Sequence, residues 1–400
     1  STPNARFAHT RGRGRYRHDE TASNAEGSNT SSVDSTTVGS STSPIALTVN
    51  FIVTLPSMPF CSAAPGESGL TRTADVGAGA WGTALADLLA RNGQRVTLWA
   101  YEPDVVESIN ARHENTRFLA KAALHERLRA TGDLDEAIGD ASLVLFVTPS
   151  HVLRGIARQA AKSAGQRATL VVASKGIERE SLALMTDVIS EEMPGHSVVG
   201  LSGPSFAKEV VERQPTAVVA ASRDALASER VQQALSSDAF RVYTHHDVVG
   251  VELGGSLKNV MAIATGMAEG LGLGYNPRAA LITRGLAEMT RLGVALGADP
   301  LTFAGLAGMG DLVLTCTGAL SRNRQLGLEI GQGKRLDESL AARETVAEGV
   351  YTTQSAHALA SREEIEMPIV AAVYRILFEG SDPRRAIGEL MTRELRAEPD

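Results

Sequence analysis

Five short stretches of the chain carry residue types suited to binding anions and moving protons. "GAGAWG" places Gly77, Gly79 and Gly82 in a G-x-G-x-x-G spacing. In such a turn the first glycine permits the bend, the second lets a pyrophosphate approach the backbone, and the third lets the helix pack on its sheet. Free N–H groups at the start of that helix then face the phosphates. "GGSLKN" sets Lys258 in an apolar stretch, where partial burial lowers a lysine pKa and suits it to general acid–base work. A surface lysine that snorkels is the minority reading. "SKG" puts Lys175 just past an apolar run, at the strand end where open sheets bind ligands. Asp311 in "GMGDL" either orients a lysine, binds substrate hydroxyls or caps a helix. "SRNR" offers Arg322 and Asn323, a forked cation and an amide for phosphate oxygens. Without further support, that stretch also reads as a surface charge run.

These residues need a scaffold. The chain has 400 residues, enough for two domains or two plus a tail. Hydrophobic content of 43% supports sizeable cores, and a net charge of −7 gives no global case for nucleic-acid binding. The two cysteines, Cys61 and Cys316, have no metal-ligand or disulfide-framework spacing. They fit a reducing cytoplasm, and no metal site is expected. No apolar run reaches the ~18 residues of a membrane span.

Residues 1–72 differ from the rest. "TASNAEGSNTSSVDSTTVGSSTS" has no period and few apolar residues, so a disordered or non-native leader is expected there. From 73 to 247, apolar runs ("RVTLWA", "ASLVLFVTP", "ATLVVAS", "HSVVGLSG", "PTAVVAA") alternate with helical stretches. That pattern predicts an α/β fold, a Rossmann-like doubly wound parallel sheet. Ser150 is expected to cap the helix entered by "SHVLRG". From 248 to 392 the strands stop, and an all-helical C-terminal domain is expected.

Two positions in the first half raise questions. Glu102 lies about 20 residues past the turn, where a ribose-binding carboxylate is expected. An ordinary solvated loop acid is the equal alternative. The strand feeding the turn should be apolar, yet "LTRTADV" holds Arg72 and Asp75. It is a short, weak strand, a decayed site, or sequence foreign to the domain, and the change of character at Val76 favours the last. Arg72 is expected near the sheet edge or solvent. A clear partner for Asp75 would make the junction native.

Several segments together resemble the bacterial-type NAD(P)-dependent glycerol-3-phosphate dehydrogenases. They are "GAGAWGTALA", "VTPSHVLR", "SKGIE", "LSGPSFAKEV", "ELGGSLKNVMAIATGMAEGLGLG", "AGMGDLVLTC", "SRNRQLG" and "AEGVYTT". They occur in the family's order over about 76–397, and their combination is specific. The resemblance implies hydride transfer between NAD or NADP and the C2 carbon of glycerol 3-phosphate or dihydroxyacetone phosphate, supplying phospholipid synthesis. It implies a catalytic set of Lys258, Lys175 and Asp311, with Lys258 as proton shuttle. It implies cofactor contacts at Gly77, Gly79, Ala80, Trp81, Gly82, Tyr101, Lys175, Ala207, Arg322, Val346 and Glu348. Substrate contacts are implied at Lys175, Gly203, Ser205, Lys258, Asp311, Thr315, Ser321, Arg322 and Asn323. A homodimer is also implied, with no nucleic-acid partner. Two departures stand out. Ala80 occupies a place usually held by Ser, and Tyr101 one often held by a basic residue. The second leans toward NAD, or leaves NADP to contacts such as Arg112. The alternatives are another two-domain hydroxy-acid dehydrogenase and a non-catalytic nucleotide-binding homologue.

Overall fold

In a computed structural model of the protein, residues 71–341, 343, 347–394 and 397–398 are described. The leader reading of residues 1–72, Cys61 and the cofactor contact at Val346 therefore lie wholly or mostly outside the described residues.

Eight strands form one sheet: β1 (Arg72–Val76), β2 (Arg95–Trp99), β3 (Arg129–Thr131), β4 (Leu143–Phe146), β5 (Thr169–Val172), β6 (Val198–Ser202), β7 (Thr216–Ala221) and β8 (Phe240–His245). The order is β3-β2-β1-β4-β5-β6-β7-β8. Its first six positions follow the dinucleotide-binding arrangement, with the strand order reversing between β1 and β4. Every pairing is parallel except β6 with β7, a departure from the all-parallel expectation. Val, Leu and Phe on successive residues make β4 and β5 buried throughout, as strands covered on both faces must be.

β1 does form, in the centre of the sheet, with Asp75 in register with Leu98 on one side and Leu145 on the other. Arg72 reaches outward to Asp140 at 2.7 Å, as its expected position near solvent requires. The Thr73 hydroxyl donates to Gln94 at 2.6 Å. Asp75 is fully buried, and neither carboxyl oxygen has a hydrogen-bond partner among the described residues. Burial pushes its pKa well above the usual carboxylate range, because the charged form has lost its water. Among the described residues, the partner that would mark the junction as native is not found.

Past β8 the described elements are helical. The helix Val248–Gly270 is buried continuously from Gly250 to Ala268, as suits a helix that is apolar nearly all round. Its start is fixed by Asp247, which accepts from Gly250 N at 2.9 Å, Asp299 N at 3.0 Å and the Thr302 hydroxyl at 2.6 Å. Helix Arg322–Gly331 lies against it with almost no spacing. A Cβ on Gly266 would fall 2.0 Å from the Arg324 carbonyl oxygen, and one on Gly327 would fall 2.1 Å from that of Ile263. These glycines bring the "SRNR" segment onto the helix that carries Lys258.

Candidate active site

Lys258, Lys175 and Asp311 meet. The buried Lys258 ammonium donates to Asp311 Oδ1 at 2.5 Å and to the Thr315 hydroxyl at 3.0 Å. Lys175 donates to Asp311 Oδ2 at 2.7 Å and to the Gly203 carbonyl at 3.2 Å. One fully buried carboxylate thus bridges two lysines. With both lysines protonated the cluster carries one net positive charge, suited to an oxygen that gains negative charge. Burial is the largest influence on Lys258 and lowers its pKa to about 8, with Lys175 pushing the same way and Asp311 opposing.

Each member has a structural reason for its place. Lys175 follows β5, at the carboxyl end of the sheet. The helix bearing Lys258 is tied to the sheet half by Ser256, whose hydroxyl donates to the Gly176 carbonyl at 3.1 Å. Glu252, one further tie, accepts from Thr186 N at 3.0 Å and from the Thr186 hydroxyl. Burial raises its pKa to about 8. Asp311 opens the helix Asp311–Thr317 immediately after a π-helical turn, Leu306–Gly310, a distortion that recurs at functional sites. Asp311 therefore does stand at a helix start, yet its carboxylate is spent on the lysines and caps nothing. Thr315 also donates to the Asp311 carbonyl at 2.6 Å, one turn back along this helix.

The glycine turn fits a dinucleotide. A Cβ on Gly77 would lie 2.9 Å from the Val147 backbone, and one on Gly82 would lie 1.9 Å from the Gly77 oxygen, whereas Gly79 faces open space. The helix Ala80–Arg91 begins with no side-chain cap, so its first N–H groups are free for phosphate, Ala80 included. Two buried polar atoms, Trp81 Nε1 in the turn and Thr148 Oγ1 just past β4, beside Gly77 in space, have no partner among the described residues. Buried donors normally find partners, and a bound cofactor would provide them. Thr148 was not anticipated from sequence, although its place at the end of a buried strand was a usable signal.

The remaining predicted residues fall in mixed settings. The Ser205 hydroxyl donates to the Gly203 carbonyl at 3.0 Å, and Ala207 opens the short helix Ala207–Val211. Ser321 caps helix Arg322–Gly331 by accepting from Arg324 N at 3.2 Å. Asn323 is largely engaged. Its amide nitrogen donates to Asn259 Oδ1 at 2.9 Å and its oxygen accepts from Gly349 N at 3.0 Å. Asn259, also unanticipated, ties the lysine helix to Asn323, which in turn accepts from the start of the helix Glu348–Arg362. Arg322 is exposed, with Glu348 acting on it as an opposite charge. Burial raises the Glu348 pKa, against hydrogen bonds from Ser150 and the charge of Arg322.

Ser150 corrects its predicted role. The helix Leu153–Ala160 has no side-chain cap, and the Ser150 hydroxyl donates instead to Glu348 Oε2 at 2.7 Å. Tyr101 and Glu102 lie in the turn after β2, Tyr101 with 81% of its surface exposed.

Comparison with known proteins agrees with this geometry. The family description "NAD-dependent glycerol-3-phosphate dehydrogenase N-terminus" matches residues 73–228, and its C-terminal counterpart matches 247–388. A glycerol-3-phosphate dehydrogenase, NAD(P)+, of Citrifermentans bemidjiense is 54% identical over 330 residues, 82% of this chain and 98% of that protein. The Myxococcus xanthus protein of the same name is 51% identical over 326 residues, 81% of this chain and 97% of its own. Among solved structures, glycerol-3-phosphate dehydrogenase from Coxiella burnetii is similar with a TM-score of 0.79 and 43% identity, over 81% of this chain and 99% of that one.

Proposed function

The chain belongs to the NAD-dependent glycerol-3-phosphate dehydrogenases, and from that premise we propose that the Lys258–Asp311–Lys175 cluster is its proton-transfer centre. The enzyme interconverts dihydroxyacetone phosphate and sn-glycerol 3-phosphate with NAD or NADP. The observation that carries the site assignment is the pair of lysines, Lys258 buried and Lys175 half-buried, on one buried carboxylate.

When bound, the nicotinamide supplies or accepts the hydride at C2. In reduction the Lys258 ammonium gives its proton to the substrate oxygen as that oxygen becomes a hydroxyl. A pKa of about 8 lets this lysine hold a proton near neutral pH and still release it. Asp311 keeps Lys258 oriented and balances its charge. Lys175, held on the same carboxylate, lies beside the developing oxyanion and strengthens its stabilisation. Gly203, Ser205 and Thr315 line the substrate side of the cluster. Arg322 takes the phosphate, Asn323 fixes that segment on Asn259 and offers its second amide N–H, and Ser321 holds the helix start. Gly77, Gly79, Ala80, Trp81, Gly82, Tyr101, Ala207, Val346 and Glu348 hold the cofactor. The working direction is reduction, feeding glycerol 3-phosphate to phospholipid synthesis.

The enzyme acts as a homodimer in the cytoplasm. Apolar side chains exposed on the helical half, Tyr275, Val294 and Leu301, support self-association. The free thiol of Cys316 suits a reducing compartment. Among the described residues no helix is long and apolar enough to cross a membrane.

The test is consumption of NADH or NADPH by the full chain with dihydroxyacetone phosphate. No turnover with either would sink the reading. Arg322→Lys is expected to raise KM for dihydroxyacetone phosphate about tenfold or more, with a smaller change in kcat, because a lysine cannot reproduce the forked contact. An unchanged KM would remove Arg322 from phosphate binding.

A further inference from the structure

The proton-transfer cluster is assembled from two halves of the chain. Lys175 and the Gly203 carbonyl follow strands of the sheet, whereas Lys258 and Asp311 stand on helices. The ion pair across the two, Lys175 to Asp311, is 2.7 Å long. A displacement of about 1 Å at such a centre costs on the order of a hundredfold in rate, so the register of the halves matters. Helix Val248–Gly270 packs against both.

Residues four apart share a face of a helix. Gly254 and Lys258 face the turn that leads into Asp311, and a Cβ on Gly254 would fall 2.5 Å from the Ala307 carbonyl oxygen. Glu252 and Ser256 face the sheet half. Gly255 lies against Ser202, the last residue of β6. A Cβ there would fall 2.3 Å from the Ser202 hydroxyl and 3.6 Å from Cδ of Lys175.

The face bearing Glu252 and Ser256 holds the Lys175 segment at both ends. That segment runs from Lys175 to Thr186 and is closed by an antiparallel bridge between Ile177 and Leu184. Ser256 takes the first end, at the Gly176 carbonyl. Glu252 takes the second, accepting from Thr186 N at 3.0 Å and from the Thr186 hydroxyl. Thr186 N is among the first donors of helix Met185–Glu192, and Leu184 before it has no capping group. Glu252 therefore caps that helix from another part of the fold. Glu252 is itself buried, against Gly200 of β6. Burying a carboxyl costs stability that an aliphatic side chain of similar size would not. Burial, with Asp187 adding to it, raises its pKa to about 8. It is then mostly protonated at neutral pH, and glutamine reproduces its shape and its hydrogen bonds.

We infer that Glu252 is a positioning residue for the reaction: through Thr186 it fixes the Lys175 segment on the helix of Lys258, and so sets how the two lysines share Asp311. The inference rests on the reading of that cluster as the proton-transfer centre.

The experiment measures kcat, coenzyme affinity and the pH dependence of kcat/KM for dihydroxyacetone phosphate reduction, in the full chain and three variants. The coenzyme is whichever of NADH and NADPH the parent uses better. Glu252→Leu is expected to lower kcat about tenfold or more, with coenzyme affinity within a few-fold of the parent. It should also move the inflection upward from about 8. A displaced Lys175 no longer pushes the Lys258 pKa down, and it leaves Asp311 to Lys258 alone. Glu252→Gln keeps both bonds to Thr186 and should stay within about threefold of the parent in kcat. Thr186→Val removes only the hydroxyl. It should change kcat and the inflection in the same direction as Glu252→Leu and by less, and it decides the matter if Glu252→Leu does not fold. A purely structural role would lower the yield of folded protein but leave kcat per coenzyme-binding site and the inflection unchanged, and that result overturns the inference. A loss in Glu252→Gln equal to that in Glu252→Leu overturns it too. An active parent with unchanged variants sinks this inference alone, whereas an inactive parent sinks the catalytic reading and the inference with it.

Discussion

Lys258→Met is expected to lower kcat for dihydroxyacetone phosphate reduction by roughly 10²–10⁴, the range that a positioned proton donor contributes. Methionine keeps most of the volume and the apolar stem, so the buried helix loses little packing. Asp311 retains Lys175 at 2.7 Å, so its carboxylate is not stranded without a cation. The variant should therefore fold and should bind NADH within a few-fold of the parent. Steady-state rates and an NADH titration on the same preparation separate the two effects. Turnover within a few-fold of the parent would take Lys258 out of the reaction. Loss of NADH binding alongside turnover would show a structural role in place of a chemical one.

Asp75→Val is expected to stabilise the fold by about 2–4 kcal/mol, from the recovered cost of an unsatisfied buried polar group plus an added apolar side chain in the core. No partner among the described residues is lost, because both carboxyl oxygens are unpaired there. The flanking residues in register, Leu98 and Leu145, favour an aliphatic neighbour. Asp75 also gives stability a pH dependence of definite sign. Its folded pKa is raised, so the folded state holds a proton that the unfolded chain releases. Stability is then full below the ordinary aspartate value and falls as pH rises from there to the raised value. Asp75→Asn should abolish that fall without the full gain of valine. Denaturant unfolding at several pH values measures both. A destabilised Asp75→Val, or a pH slope shared by Asp75→Asn, would mean that the carboxyl has a role in the folded state.

What the sequence disclosed followed local chemistry. The glycine turn, the apolar strands and the lysines were legible because spacing or composition marked them. Lys258 and Asp311 are 53 residues apart, and Lys175 and Asp311 are 136 apart; only folding brings them onto one carboxylate. β3 and β8 left weak signals. β3 has three residues, and β8 alternates buried and exposed side chains along its first four residues, unlike the continuous apolar runs that marked the others. Ser150 has the residue type of a helix cap, but its partner Glu348 lies 198 residues away, beyond any local rule. The phosphate role read for Asn323 overlooked Asn259 and Gly349, which occupy most of its hydrogen-bonding groups. Asp75 was visible as a misfit from the start, and the absence of a partner among the described residues agrees with that.

The central claim is that Lys258 moves the proton, and the pH dependence of kcat/KM in both directions tests it most directly. Reduction needs the ammonium form, so its rate should hold below about pH 8 and fall above it. Oxidation of glycerol 3-phosphate needs the neutral amine and should rise through the same inflection. Mirror-image profiles in the parent, with the inflection lost in Lys258→Met, are the predicted result. Profiles that run in the same direction, or an inflection that survives in the variant, would contradict the account.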